Sequence, residues 1–392
     1  MSDTHSSETP SQPKAYARAR LRLSLLSGAM DLAILVLLLT SGASVALARW
    51  SRAIWRPWPL QTLLYLLVLG AAMTLLGLPW DWLKRRVEIR FGLNRQGLGS
   101  WWGDQAKGLA LSAVLMGAAV ELVYWLLHAS PGHWWLWAWA AFALFMVVMA
   151  QLGPVVLLPI FFKMRPMTEE NERDAAVVRR LLAAYARQKE SNPKLPRLHG
   201  IFEWKLGEKS AKANAALTGL GQTRRVIISD TLLEASTPEE IEAVFLHELG
   251  HHVHADIWQG LAFQSGLSLF GFWLAATALT ALGPRLGLSG IADIAGLPLL
   301  ALVFSLLGLV LLPAANGFTR RMERRADDYS FAALGTAEPL IAGLEKLAEK
   351  NLAEREPARW KEFLLYSHPS IATRVRRGRE WERRQSGAVS VG

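Results

Sequence analysis

His247, Glu248 and His251 stand in the order His-Glu-x-x-His, inside a stretch that reads as a helix. On a helix, residues four apart project from one face about a turn apart, so both imidazoles can aim at one ion. Two imidazoles at that spacing suit two corners of a tetrahedral zinc site. A carboxylate one residue round the helix can take the proton of a water that the metal activates. Chance would place the bare pattern in roughly one chain in a hundred of this composition, so the motif needs context. Thr237-Pro238-Glu239-Glu240 supplies it, reading as a capping box with proline at the first helical position. Ile241, Val244, Phe245 and Leu249 follow at helical spacing.

Two histidines and a water leave tetrahedral zinc one ligand short. The histidine pattern of the metzincins would put Gly and His three and six residues past His251, but His254 and Ile257 stand there. Glu323 and Asp327, one turn apart on a downstream helix, form a better candidate pair: the first could bind zinc and the second could orient a ligand histidine. Against this stands a plainer reading, in which Glu323 pairs with the arginines around it on a solvated helix. His252 and His254 are local competitors, although His252 points away from the face shared by His247 and His251.

The elements that must position these residues lie largely in a membrane. Apolar residues make up 52% of the 392, Trp is unusually frequent at 17, and the mean hydropathy is positive. Six stretches are long and apolar enough to cross a bilayer: roughly 21–48, 60–80, 107–128, 134–162, 258–282 and 291–317. So many in one chain leave too little polar sequence to cover them in a soluble fold. Two crossings separate His251 from Glu323, which returns the chain to the same side. Lys14, Arg18, Arg20 and Arg22 precede the first stretch, and Lys84, Arg85, Arg86, Arg90, Arg95 and Lys107 lie between the second and third. Arg49, Arg52, Arg56 and Arg285 fall on the opposite side, a bias that puts both termini and the catalytic region in the cytoplasm. The net charge of +10 then fits a lipid bilayer partner rather than nucleic acid. Zero Cys excludes thiolate ligands and nucleophiles.

The expected organisation is a disordered tail over 1–20, membrane helices over 21–162, and an α+β region over 163–257 that ends in the motif helix. A membrane hairpin over 258–317 and a helical, basic region over 318–392 follow. Pro154 and Pro159 should kink or break the fourth span near the interface. An amphipathic helix opens near Thr168, and strand-like runs cover Leu198 to Leu206, Ala213 to Thr218 and Arg224 to Ser229. Glu121 and Gln151, inside apolar spans, should face a polar interior, though helix–helix hydrogen bonding would serve as well.

At this point the sequence resembles the type I CAAX prenyl endopeptidases, membrane-embedded zinc metalloproteases of the gluzincin type. The likeness rests on His247-Glu248-Leu249-Gly250-His251 with Glu323-x-x-x-Asp327, and on Arg90-Phe91-Gly92-Leu93-Asn94. It extends to Pro159-Ile160-Phe161, Asn214-Ala215 ahead of Arg225 to Leu233, and Ser367-His368-Pro369 with Arg374. The resemblance implies a mostly α, polytopic fold of about six to seven membrane helices around a polar chamber, with a small α+β zinc-protease domain. It implies zinc held by His247, His251 and Glu323. It also implies that Asn214 grips the substrate backbone and that His368 and Arg374 stabilise the oxyanion, residues that on their own would read as caps or surface ion-pair partners. Glu248 would be the general base. The substrate expected is a peptide or protein, with prenylated CAAX tails the implied class. A quality-control protease for membrane proteins is the near alternative, and a non-catalytic membrane scaffold with a structural metal is the distant one.

Overall fold

The structure, a computed structural model, describes residues 11–195 and 197–389. The chain enters through α1 (Gln12–Thr40) and the short α2 (Ala43–Ile54), then runs through α3 (Trp58–Arg90), α4 (Leu98–Ala129) and α5 (Trp134–Leu152). A π-helical turn at Gly153–Leu157 leads into α6 (Leu158–Phe161). The polar region then supplies β1 (Met164–Pro166), α7 (Glu172–Ser191), β2 (Ile201–Trp204), β3 (Ala215–Thr218), β4 (Arg225–Ser229), α8 (Asp230–Ala235) and α9 (Pro238–Val253). Two long helices, α10 (Asp256–Leu282) and α11 (Leu297–Leu334), re-enter the apolar bundle, and α12 (Glu338–Lys350), α13 (Arg359–Leu365) and α14 (Ile371–Val389) complete the fold.

Among the described residues, six helical stretches are long and apolar enough to span a bilayer, carried by α1, α3, α4, α5 with its extension to Phe161, α10 and α11. Their boundaries differ from the hydropathy reading in informative ways. Residues 12–20, expected in a disordered tail, already belong to α1, while the rest of that tail, 1–10, lies outside the described residues. The first apolar stretch does not continue to residue 48: α1 ends at Thr40, Gly42 turns the backbone at φ 74°, and α2 follows. At 12 residues, α2 is about 18 Å long, too short to cross. Pro154 and Pro159 interrupt the fourth span without ending it: α5 stops at Leu152, the π turn takes Pro154 in its first turn, and α6 carries Pro159 in its first turn on to Phe161. Glu121 has an enclosed Oε1 with no hydrogen-bond partner, whereas Gln151 is exposed.

The polar region joins the bundle at one end. Gly92, at φ 72°, turns the chain after α3 so that Leu93 O accepts from Ala211 N–H at 2.9 Å and Arg95 N–H reaches Lys209 O at 2.9 Å. Lys212 Nζ meets Glu88 Oε1 at 3.0 Å across the same seam. The sheet order is β1-β2-β4-β3, with β2 and β4 parallel and both outer pairs antiparallel, so β3 is an edge strand. Ile228, Leu246 and Leu249 pack with Leu181 of α7 into one core between sheet and helices. Asn171 caps α7 through Arg173 N–H.

The motif helix α9 starts at the expected capping box: Thr237 N–H donates to Glu240 Oε2 at 2.8 Å, and Glu240 N–H to Thr237 Oγ1 at 3.3 Å. Its partner, α11, is a single helix of 38 residues, about 57 Å long, so the last span and the downstream Glu323 helix are one rod. The expected boundary at 317/318 falls inside it. Gly250 lets the two helices meet. A Cβ there would stand 3.1 Å from Ala326 Cα and from Tyr329 Cβ. Ser330 Oγ donates to Ala243 O at 2.8 Å to hold the same crossing. Gly250→Val should therefore lower stability by about 1–3 kcal/mol through overpacking and push α11 away from α9. A reduced thermal midpoint together with reduced bound metal would be the readout; a variant with wild-type values in both would show that the crossing tolerates the extra volume.

Candidate active site

The close crossing of α9 and α11 places three side chains at one point. His247 Nε2 lies 3.4 Å from Glu323 Oε2, and His251 Nε2 lies 3.5 Å from Glu323 Oε1. One ligand atom from each of the three falls within 4.8 Å of the others. Donors about 2.0–2.1 Å from one zinc ion at a tetrahedral angle stand about 3.4 Å apart, so the spacing suits a shared cation. The group is buried or nearly so, and Glu323 Oε2 is enclosed without a hydrogen-bond partner. A buried carboxylate so placed, with one oxygen toward each of two imidazole nitrogens, is a fit for a metal and a costly arrangement without one.

Each imidazole is held from behind by a carboxylate. Asp327 Oδ1 is 3.0 Å from His247 Nδ1, and Asp256 Oδ2 is 2.8 Å from His251 Nδ1. The backing turns each Nε2 toward Glu323 and sets the tautomer. The carboxylates are braced in turn. Arg374 Nε donates to Asp327 Oδ2 at 3.0 Å, with a second, shorter contact from Nη2, and Arg325 Nη2 meets Asp256 Oδ1 at 2.6 Å. Burial pulls the His251 pKa down, yet Asp256 and Glu323 outweigh it and push it up to about 10. His247 follows the same pattern, with burial opposed by Asp327 and Glu323 and a net rise. The acidic surroundings thus call for positive charge between the rings, which a divalent ion supplies as well as a proton does.

The other candidates are placed unevenly around this point. Glu248 is half-buried beside the group and accepts from Leu217 N–H at 3.4 Å. His368 is exposed at its side chain, with Nε2 3.2 Å from Glu323 Oε1 and Nδ1 2.9 Å from Ser367 Oγ. Arg374 is buried, its guanidinium on Asp327 and its Nη1 3.9 Å from Glu323 Oε2. Asn214 precedes β3, with its side chain exposed and its backbone on Ser229, where N–H meets Oγ and O accepts N–H, each at 2.9 Å.

In the β3–β4 ladder Ala216 opposes Ile227 and Thr218 opposes Arg225. Alternation then leaves Ala215 and Leu217 with their amides and carbonyls facing outward from the sheet. His252 and His254, the local competitors, are engaged elsewhere. Burial pushes the His252 pKa down to about 4, and its Nε2–H donates to Leu217 O at 3.0 Å, while His254 Nδ1 bonds to Gly250 O at 2.8 Å. Asp256 and Arg325 were not among the sequence candidates. Asp256 opens a new helix after Ala255 turns the backbone at φ 55°, so helical periodicity from His251 could not point to it.

Two imidazoles and a carboxylate with a second carboxylate, Glu248, beside them, on a helix packed against the extension of a membrane-spanning one, make a metallopeptidase type of centre in a membrane protein. Comparison with known proteins agrees. The model of peptidase family M48 matches residues 171–382, and that of the CAAX prenyl protease N-terminal region, five membrane helices, matches 1–163. Among relatives, the uncharacterized metalloprotease YhfN of Bacillus subtilis is 29% identical over 94% of this chain and 84% of its own length. The probable CAAX prenyl protease 1 of Schizosaccharomyces pombe is 26% identical over 74% of this chain and 59% of its own. The crystal structure of S. mikatae Ste24p shares the fold, with a TM-score of 0.78 at 22% identity over 93% of this chain and 87% of that one. The chain belongs to peptidase family M48 and is a multi-pass membrane metalloendopeptidase.

The carboxylate behind His251 gives the site a test that does not depend on turnover. Asp256→Ala should weaken metal binding about 10–100-fold, measured by competition against a chromogenic chelator. Affinity equal to wild type would show that His251 is oriented without it.

Proposed function

We propose that this chain is a zinc endopeptidase that hydrolyses a peptide bond near the C-terminus of membrane-associated peptides, with prenylated CAAX-type tails the substrate class. The observation that carries the reading is the buried Glu323 carboxylate facing the two imidazoles, one oxygen toward each, beside Glu248 and the outward amide and carbonyl of Ala215. Zinc held by His247, His251 and Glu323 would supply a Lewis acid and a water of lowered pKa.

Glu248, tied by one long hydrogen bond, is free to take a proton from that water and return it to the leaving amine. The outward amide and carbonyl of Ala215 offer an extended peptide a place to add as a further strand, and Asn214 at the start of that edge would hold its backbone. Such a strand would lie on the α9 side of β3, where Glu248 and His252 reach Leu217, and would bring a substrate carbonyl toward His247, His251 and Glu323. His368, with its ring at the open side of Glu323, is the side chain placed to donate to the charge that develops on the cleaved carbonyl. Arg374 has a different part: committed to Asp327 and close to Glu323, it would hold the ligand set in position rather than donate to substrate.

The substrate end of the site lies on the side of the bundle where Lys84, Arg85, Arg86, Arg90 and Arg95 cluster, which supports a cytoplasmic peptidase region. A second reading, cleavage of membrane peptides without regard to prenylation, is favoured by the B. subtilis relative, which is called simply a metalloprotease and aligns over more of this chain than the S. pombe protein does.

Two matched peptides decide between them, one farnesylated on a C-terminal CAAX cysteine and one not. Chelator-sensitive release of the tripeptide from the prenylated peptide alone is the expected result; equal cleavage of both would support the second reading. In the same assay Glu248→Gln should lose at least about a hundredfold in rate with its metal retained. A Glu248→Gln enzyme cutting at the wild-type rate would refute the general-base role, and a wild type that holds zinc but cuts neither peptide would leave a structural metal scaffold.

A further inference from the structure

Away from the peptidase centre, a cleft of about 780 Å³ opens between the ends of α1, α3 and α4. Four arginines border it, Arg22, Arg85, Arg86 and Arg90, and no acidic residue does. None of the four has a carboxylate within ion-pair distance among the described residues, whereas Arg20, on the same helix as Arg22, reaches Glu88. Arg85 is the most telling. It is only 9% exposed, its Nη2 is fixed on Gln96 O at 2.9 Å, and its Nε is enclosed without a partner. Trp82 and Trp101 stack on its guanidinium at 5.5 and 5.9 Å, which holds the group rigid at the base of the cleft.

The position of the cleft along the helices says what kind of ligand it meets. From Leu23 to Thr40, α1 carries a single charged residue over 18 positions, about 27 Å, the thickness of the hydrocarbon layer. Arg22 is therefore the first residue outside that layer. Arg85, Arg86 and Arg90 follow the apolar length of α3 on the same side, and Trp82 stands at the level where aromatic side chains border lipid headgroups. The rest of the wall includes apolar side chains: Leu23, Leu83 and Leu98 line it, the last two exposed. A neighbouring cleft that shares Arg22 differs in containing two carboxylates, Glu354 and Glu356, of which Glu354 pairs with Lys361.

We propose that this cleft is a binding site for an anionic phospholipid, whose phosphate meets Arg22, Arg85, Arg86 and Arg90 while an acyl chain lies along Leu23, Leu83 and Leu98. The ligand must combine negative charge with a hydrocarbon tail. A free anion would leave the apolar wall uncovered, and a zwitterionic lipid would bring its own cation to four unpaired arginines. The site also borders the seam, since α3 continues from Arg90 into the Gly92 turn that joins the peptidase region to the bundle. A bound anion there neutralises repulsion among the arginines at that junction.

The full-length protein in mixed micelles, offered equal phosphatidylglycerol and phosphatidylcholine, tests this by native mass spectrometry of the retained lipid. The wild type should retain phosphatidylglycerol at least about tenfold over phosphatidylcholine. Arg22→Gln with Arg86→Gln should bring the ratio to within about twofold of parity, and Arg22→Lys with Arg86→Lys should keep most of the preference. Arg49→Gln with Arg56→Gln, at the opposite end of the helices, should leave it unchanged. If the glutamine double variant does not fold, as judged by its thermal midpoint in phosphatidylcholine alone, Arg90→Gln replaces it with the same expectation. A glutamine variant that retains the wild-type ratio would overturn the site, and so would equal loss on removing Arg49 and Arg56, which would mean diffuse attraction. Displacement of the lipid by millimolar inorganic phosphate would assign the arginines to free anions instead.

Discussion

The near contact of α9 and α11 at Gly250 and Ala326 is the constraint on which the site depends. His247 and His251 sit on one helix and Glu323 on the other, and the three reach one point only because the backbones approach to where a single methyl group would crowd. A glycine in mid-helix costs about 1 kcal/mol of helix propensity relative to alanine. Here that cost is offset by the burial of Leu246, Leu249 and Phe331 around the crossing, and by the hydrogen bond from Ser330 to Ala243. The long α11 adds stiffness: the same rod is anchored in the apolar bundle at one end and carries Glu323 and Asp327 at the other.

Around that crossing the charges are organised in layers. Glu323 is buried with two imidazoles, the imidazoles are backed by Asp327 and Asp256, and those carboxylates are held by Arg374 and Arg325. Burying so many charges is tolerable only when each has an opposite partner at short range, because an unpaired buried ion costs several kcal/mol. The remaining imbalance lies on the Glu323 carboxylate, whose Oε2 is enclosed without a hydrogen-bond partner among the described residues and whose two oxygens each face one imidazole Nε2. Structure and electrostatics therefore single out the same position for a cation. The sheet adds the remaining element. Glu248 and His252 both reach Leu217, so the motif helix sets the distance to the edge strand as well as to α11.

Much of this was legible beforehand, for identifiable reasons. The capping box, the spacing of His247 and His251, and the one-turn spacing of Glu323 and Asp327 are local, and local geometry follows from helix periodicity. Six apolar stretches were countable because a bilayer demands about twenty apolar residues in a row. Hydropathy failed where it averages over conformation. It merged α1 with α2 across Gly42, although it carried the fourth span past Pro154 and Pro159 to within a residue of its end. It also divided α11 where polarity changes, although the helix runs on through Pro313 to Leu334.

By itself, then, the sequence determined a polytopic helical chain with a His-Glu-x-x-His helix, a strand-like run from Ala213 to Thr218 and a downstream acidic pair, since each depends on residues near one another in the chain. Only the tertiary structure decided which groups meet. Asp256 stands behind His251 because the backbone reverses at Ala255, and Arg374 closes on Asp327 from a helix 47 positions away. Likewise, the four unpaired arginines share one cleft because α1, α3 and α4 end at the same level. Such meetings have no period to read. They are set by the packing of helices against one another and by the need of buried charge for a partner.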